Sequence, residues 1–285
     1  MTFFEIKQQF ATALAPLYPP QEVAAMLKLL VENCRISYTE MLMTPQAEIV
    51  PEHEKCLQEA LQRLLAQEPI QYILGKADFY GLQFSVSPAV LIPRGETEEL
   101  VQRAICIAQS IERPVIVDAC TGSACIAIAL AKHLPQARLC ACDISFDALS
   151  VAKRNAQQNN VNVNFVHCDI LKPSEWKKLP LCNLLVSNPP YVMESEKSLM
   201  QQNVLAYEPE IALFVSNDNP LVFYHALAQL GQCMLQAGGI LLCEINENLA
   251  EETAQLFTDY DYKNVEILRD IHERERFVIC QWKLC

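Results

Sequence analysis

Two hydrophobic rhythms divide this chain. Over the first 70 or so residues, apolar positions recur every three or four residues, which predicts short amphipathic helices. Thr2 with Glu5 fits a capping box before the first helix. Pro20 can open a second, with Val23, Leu27, Leu30 and Val31 on one face. Ser37 with Glu40 is another capping-box candidate, and Pro51 opens a longer helix striped by Leu57, Ala60, Leu61, Leu64 and Leu65. Such stripes are most simply a small helical bundle. Between residues 77 and 92 the rhythm changes to alternation, with Leu82, Phe84 and Val86 following a Tyr80-Gly81 turn signal, so a β-hairpin is expected. After Pro93-Arg94-Gly95-Glu96-Thr97 a helix is predicted, with Leu100, Val101, Ala104, Ile105 and Ala108 inward and acids near its N-terminus.

From Pro114 onward, short apolar strands alternate with helices. Strands are predicted at 115–117, 139–142, 163–166, 184–186, 240–244, 265–268 and 277–281. Helices are predicted near 126–134, 146–159, 221–236 and 250–257, the third of these stopping at Gly238-Gly239. This alternation implies an α/β fold with a doubly wound, mostly parallel sheet.

Composition narrows the class. The 285 residues are 51% hydrophobic and 20% charged, enough to bury a full core. No run of 18 or more apolar residues appears, so no membrane span is expected. The N-terminus lacks a basic region followed by an apolar one, which argues against secretion. The 13 cysteines form no C-x-x-C pair and no Cys/His set with zinc spacing, so a reducing cytoplasm and no metal are expected. The net charge of −12 disfavours nucleic acid as the direct substrate and favours a basic protein partner.

The candidate chemistry lies at the strand ends, where ligands bind in such sheets. The first strand of the alternating region runs into Asp118-Ala119-Cys120-Thr121-Gly122-Ser123-Ala124, a turn that can bring backbone N–H groups to a ligand. The second ends in Asp143, which can accept ribose hydroxyls. After the third come Asp169, which can accept from an adenine amino group, and Ile170, which can lie against the ring. A single Asp at a strand end often only caps the next helix; several together make a ligand rim. The loop has one glycine and does not match G-x-G-x-x-G, so an adenosine ligand without a pyrophosphate fits better than a nicotinamide dinucleotide.

The fourth strand ends in Asn188-Pro189-Pro190-Tyr191. The Asn amide offers one acceptor and one NH2 donor, and the prolines leave only carbonyl acceptors. Two acceptors above an aromatic face suit a planar substrate NH2. The plain alternative is a proline-rich turn.

These residues resemble those of class I S-adenosylmethionine-dependent amino-methyltransferases. Further segments narrow the resemblance: Glu68-Pro69-Ile70-Gln71-Tyr72-Ile73-Leu74-Gly75, Phe79-Tyr80-Gly81-Leu82, Leu91-Ile92-Pro93-Arg94-Gly95-Glu96-Thr97, Tyr207-Glu208-Pro209-Glu210 and Asp270-Ile271-His272-Glu273-Arg274. With them the whole chain resembles the HemK/PrmC family, the glutamine-N5 methyltransferases of peptide chain release factors. The resemblance implies a helical bundle over 1–75 that docks substrate, a hairpin linker over 76–93, and a methyltransferase domain over 94–285 with a seven-stranded, mostly parallel sheet. It implies S-adenosylmethionine held by Asp118, Cys120, Thr121, Gly122, Ser123, Ala124, Asp143, Ile144, Asp169, Ile170 and Asn188. It implies the release-factor GGQ glutamine at Asn188, Pro189, Pro190 and Tyr191, with Asn188 Oδ1 and the Pro189 carbonyl taking the two N–H bonds. A cytoplasmic monomer with no direct nucleic-acid or membrane partner is expected.

Two other readings use the same motif. One is an adenine-N6 or cytosine-N4 methyltransferase, against which stand the acidic balance and the helical leader. The other is a non-catalytic binding module on the same fold. Cys120 and Ala124 replace two glycines of the family's usual D-L-G-T-G-S-G loop, which predicts added bulk at the cofactor and weaker binding. Gly95 stands where proline is usual, which predicts a more mobile loop before Glu96, and Asn246 stands where glycine is common.

Overall fold

The computed structural model describes residues 1–283. They divide into two compact units, residues 1–75 with 201–207, and residues 76–200 with the chain from Glu208 onward.

The first unit is helical. Helix α1 (Phe3–Leu14) begins with the capping box: Glu5 N–H donates to Thr2 Oγ1 at 3.2 Å, and Thr2 N–H to Glu5 Oε2 at 2.8 Å. Helices α2 (Pro20–Asn33) and α4 (Pro51–Leu65) both start on a proline, whose missing N–H costs nothing in a first turn. The short α3 (Tyr38–Met43) shows half of the expected box, because Ser37 Oγ accepts from Glu40 N–H without the return bond. Helix α5 (Ile70–Leu74) stops at Gly75, which takes a left-handed φ of 69°. Phe10, Leu14, Leu27, Val31, Leu57 and Leu61 meet in one core. Leu65 lies off the stripe and is 36% exposed, because the buried face of α4 runs through Leu57, Ala60, Leu61 and Leu64.

The second unit begins with the hairpin β1 (Lys76–Phe79) and β2 (Leu82–Ser85), paired antiparallel around Tyr80-Gly81. Helix α6 (Gly95–Ala108) follows, then β3 (Val115–Ala119), α7 (Cys125–His133), β4 (Arg138–Asp143), α8 (Phe146–Gln158), β5 (Asn164–His167) and β6 (Cys182–Ser187). Two two-residue strands, β7 (Val192–Met193) and β8 (Phe214–Val215), pair in parallel. The helix α9 (Gln202–Tyr207) lies between them in sequence and groups with the first unit. Then come α10 (Val222–Met234), β9 (Leu235–Glu244), α11 (Ala250–Asp259), β10 (Lys263–Arg269) and β11 (Glu275–Gln281).

Seven strands form one sheet in the order β10-β11-β9-β6-β3-β4-β5. The neighbours from β9 through β5 pair in parallel, and β11 pairs antiparallel with both β9 and β10. Both faces are covered, so strand residues alternate between two cores. Ile116, Leu139, Ala141, Leu184 and Val186 pack with α6, α7 and α8. Val117, Cys140, Cys142, Leu185, Cys243 and Cys280 pack with Tyr224, Leu227 and Phe257 of α10 and α11. The cysteines on that face serve as small hydrophobes. Among the described residues no helix is long and apolar enough to cross a membrane.

One predicted boundary is corrected. Helix α10 ends at Met234, and Gly238-Gly239 lie inside β9. Leu235 already pairs with Cys182, and pairing resumes with Ile240 opposite Leu184, so the glycines sit in a bulge. Gly238 has a φ of 74° and donates to the Lys283 carbonyl at 3.0 Å. Burial of Leu235 in the sheet core ends the helix before the glycine signal is reached.

A Cβ at Gly239 would lie 2.9 Å from the Gln236 carbonyl and 3.2 Å from the Asn183 carbonyl, both backbone atoms with little freedom to move. Gly239→Ala is expected to cost about 1–3 kcal/mol as overpacking, read from the urea midpoint. An unchanged midpoint would contradict the close approach.

Candidate active site

The order of the sheet reverses between β3 and β6, and polar groups collect at the carboxyl ends of the strands there. A cleft of about 210 Å³ opens at this edge. Its lining includes Cys120, Thr121, Gly122, Ser123, Asp143, Ile144, Asp169, Ile170, Asn188 and Pro190. These come from the segments following β3, β4, β5 and β6. The lining set does not include Asp118, Ala124, Pro189 or Tyr191.

The turn after β3 takes an unusual path. Cys120, Gly122 and Ala124 have φ of 59°, 54° and 63°, the left-handed region. For a non-glycine residue this conformation costs on the order of 1 kcal/mol or more. The turn is held against that cost by its bonds. Thr121 N–H donates to the Cys142 carbonyl at 3.0 Å, and Gly122 N–H to Asp143 Oδ2 at 2.8 Å. The added side chains differ in consequence. Cys120 borders the cleft, whereas the Ala124 methyl is fully buried beside Ile126 and Ile128. Only Cys120 therefore adds bulk at the cavity, which corrects the equal weight given to the two replacements.

Asp118 sits behind the cleft wall and is fully buried. Its Oδ2 accepts from the Thr121 hydroxyl and from Ala127 N–H at 3.2 Å, while Oδ1 has no partner among the described residues. It therefore ties the turn after β3 to the start of α7. Burial pushes its carboxyl up to about 7, against the help of those two donors. Asp143 borders the cavity and accepts from Gly122 and from Ser145 N–H at 2.9 Å. Burial raises its carboxyl too, and those backbone donors oppose the shift. Asp169 accepts from Leu171 N–H at 3.0 Å and pairs with Lys172 at 3.0 Å. Ile144, Ala148, Ile170 and Leu171 supply apolar wall between these acids.

At the end of β6, Ser187 Oγ donates to the Ala119 carbonyl at 2.8 Å and fixes this strand end to β3. Asn188 follows, half-buried, with Nδ2 donating to Thr97 Oγ1 at 3.1 Å. Its Oδ1 takes no hydrogen bond among the described residues. Tyr191 donates its hydroxyl to Glu244 Oε1 at 2.8 Å, and Glu244 Oε2 accepts from Thr97 Oγ1 at 2.8 Å. Burial raises the Glu244 carboxyl, opposed by these two donors and by Arg276. Burial raises the Tyr191 hydroxyl as well, with the Glu244 charge adding to it. Asn246, at the position where glycine is common, donates to the Tyr191 carbonyl at 3.1 Å and to Glu196 at 2.8 Å. Sequence reasoning placed neither Thr97 nor Glu244 in this network.

A second brace lies before α6. The buried Glu208 accepts from Ile92 N–H at 3.1 Å and pairs with Arg94. Glu208 thus holds the turn that leads to Thr97. Gly95 itself is the first residue of α6.

A seven-stranded sheet with one antiparallel strand near its edge, and a cleft where four parallel strands end, defines a class I methyltransferase fold. The catalytic domain of hMettl16 has this fold, with a TM-score of 0.55 at 15% identity over 72% of this chain and 77% of that one. Residues 103–211 match the methyltransferase small domain, and residues 5–75 match the PrmC N-terminal domain. Release factor glutamine methyltransferases of Flavobacterium psychrophilum and Bacteroides thetaiotaomicron are each 37% identical to it. The first match covers 95% of this chain and 96% of that protein, the second 93% and 95%. The chain belongs to the release factor glutamine methyltransferase family.

The Asp118 carboxyl holds its proton more tightly folded than at its usual 3.8, so its stabilising contribution is present below that value and is lost as pH rises through about 7. Asp118→Asn removes this dependence. Between about pH 4 and about pH 8 the stability difference should shift by about 4 kcal/mol towards the variant, measured by denaturant titration at both pH values. A difference that stays constant would mean that Asp118 is not so perturbed.

Proposed function

We propose that this protein transfers the methyl group of S-adenosylmethionine to the side-chain amide nitrogen of the GGQ glutamine of peptide chain release factors. The observation that carries the reading is the unpaired Asn188 Oδ1, held beside Pro190 at a cleft that runs back to Asp143 and Asp169.

The donor set suits the cofactor. Asp143 has lone pairs left to accept ribose hydroxyls after binding two backbone donors. Asp169 can accept from the adenine amino group, with Ile144 and Ile170 beside the ring. Thr121, Gly122 and Ser123 offer the cleft a turn of backbone, and Asp118 holds that turn from behind. When bound, S-adenosylmethionine supplies an electrophilic methyl group on sulfur.

The chain's own residues orient the acceptor. An amide nitrogen is a poor nucleophile because its lone pair is delocalised into the carbonyl. Asn188 Oδ1 and the Pro189 carbonyl accept the two N–H bonds of the glutamine amide and fix its plane. The Tyr191 ring packs against that plane and, with Pro190, keeps water away. Orientation of this kind can supply several kcal/mol of the barrier. The N–C bond would form as the sulfur–methyl bond breaks, leaving a neutral thioether, and the nitrogen would then lose its proton to solvent, so no strong base is required. The rims of all these groups belong to the second unit. The helical unit, free of this chemistry, is assigned to docking the release factor. The many unpaired thiols fit a reducing cytoplasm.

Asn188→Ala should lower methyl transfer by roughly a hundredfold or more, because the acceptor that orients the amide is removed. The measurement uses radiolabelled cofactor with a release factor and with its Gly-Gly-Gln→Gly-Gly-Ala variant. Label that ignores the glutamine change would refute the substrate, and label on nucleic acid alone would favour the amino-methyltransferase of bases. Cys120→Gly should bind the cofactor roughly three- to tenfold more tightly in a calorimetric titration, because a left-handed residue and a side chain at the cavity are both relieved. Equal affinities would show that the thiol is accommodated without cost.

A further inference from the structure

The fork at Asn188 works in only one of its two amide orientations. With Oδ1 towards the cleft it accepts a substrate N–H; flipped, it would present its own NH2 to another NH2. We propose that Glu244 and Thr97 are positioning residues that select the working orientation of Asn188 and at the same time anchor Tyr191. This inference rests on the methyl-transfer reading above and adds the residues that make the fork directional.

The protons along three hydrogen bonds fix that orientation. A carboxylate has acceptors only, whereas a hydroxyl has one proton to give. Thr97 is 2% exposed, and among the described residues its hydroxyl meets only Glu244 Oε2, at 2.8 Å, and Asn188 Nδ2, at 3.1 Å. Its single proton goes to the carboxylate. Towards Asn188 the hydroxyl can then only accept, so the Asn188 group facing it must be the NH2 donor. That leaves Oδ1 as the group turned away from Thr97. The same carboxylate accepts from the Tyr191 hydroxyl at 2.8 Å through its other oxygen, so both arms of the fork are referred to one buried residue.

The four residues come from separate elements. Thr97 is in α6, Asn188 follows β6, Tyr191 precedes β7, and Glu244 ends β9. The carboxylate is 2% exposed, and water cannot readily replace either bond. A buried acceptor that loses its donor remains unsatisfied, which is what makes the relay strict rather than merely favourable.

The test uses the full-length protein, a release factor and radiolabelled cofactor. Thr97→Val keeps the side-chain shape and removes the hydroxyl. It should lower kcat on the order of tenfold, the effect of losing one buried hydrogen bond, with cofactor Kd near that of the wild type and Tm lowered by a few degrees because Glu244 Oε2 is left unsatisfied. Thr97→Ser restores the hydroxyl and should recover most of kcat. Glu244→Gln replaces the strict acceptor with a group that can donate or accept, and it should lower kcat in the same sense while keeping the fold. This second variant decides the matter should Thr97→Val fail to fold. Wild-type kcat in a folded Thr97→Val, or in Glu244→Gln, would overturn the relay. So would a loss of kcat that Thr97→Ser does not recover and that cofactor affinity follows equally. A wild-type protein that labels no glutamine would instead overturn the functional reading, which keeps the two failures apart.

Discussion

A parallel sheet covered on both faces leaves almost no place for polar side chains except at its carboxyl edge. The rest of this molecule follows from that constraint. The central residues of strands β3, β4, β6 and β9 are apolar and alternate between the two cores. Where they end, backbone groups lose their ladder partners, and polar side chains appear in turn: Asp118 near the end of β3, Asp143 ending β4, Asn188 after β6 and Glu244 ending β9. The reversal of strand order between β3 and β6 opens a cleft between these ends. Site chemistry and fold topology are thus one arrangement, because the same burial that stabilises the sheet gathers its polar residues at one rim.

Burial also sets the electrostatic character of that rim. Asp118, Asp143 and Glu244 are all raised by loss of solvent, and each is opposed by specific donors. Those donors belong to the structure that the acid must hold. Asp118 accepts from the turn after β3 and from α7, Asp143 from that turn and the start of α8, and Glu244 from Thr97 and Tyr191. A carboxylate in low dielectric gains more from each hydrogen bond than an exposed one would, and an unmet bond costs correspondingly more. The acids therefore act as rigid fixtures for the turns around them. The turn after β3 shows how far this can go: it holds two non-glycine residues in left-handed conformations that usually call for glycine.

Much of this was legible in the chain. Helical stripes, capping signals and strand runs mark most elements, since the periodicity of burial is written directly into residue order. The strand-end acids and Asn188-Pro189-Pro190-Tyr191 could be read because each sits immediately beside an apolar run. The stop signal at Gly238-Gly239 misled for a physical reason. Leu235 gains more by entering the sheet beside Cys182 than by extending α10, and the glycines then serve a bulge. Cys120 and Ala124 also looked equivalent in sequence, but one faces the cavity and the other the core.

The sequence by itself determined the α/β class, the strand-end rim of acids, the polar fork, and the family to which these motifs belong. Local order suffices for those features, because each is carried by neighbouring residues and their burial periodicity. How the fork is held depends on packing between elements distant in the chain. Thr97 and Glu244 are 147 residues apart, and Thr97 and Asn188 are 91 apart. No spacing rule links them. They meet because β6 and β9 are neighbours in the sheet and α6 packs across that edge. A proton given by Thr97 to Glu244, and the amide orientation it leaves to Asn188, exist only once those elements have packed.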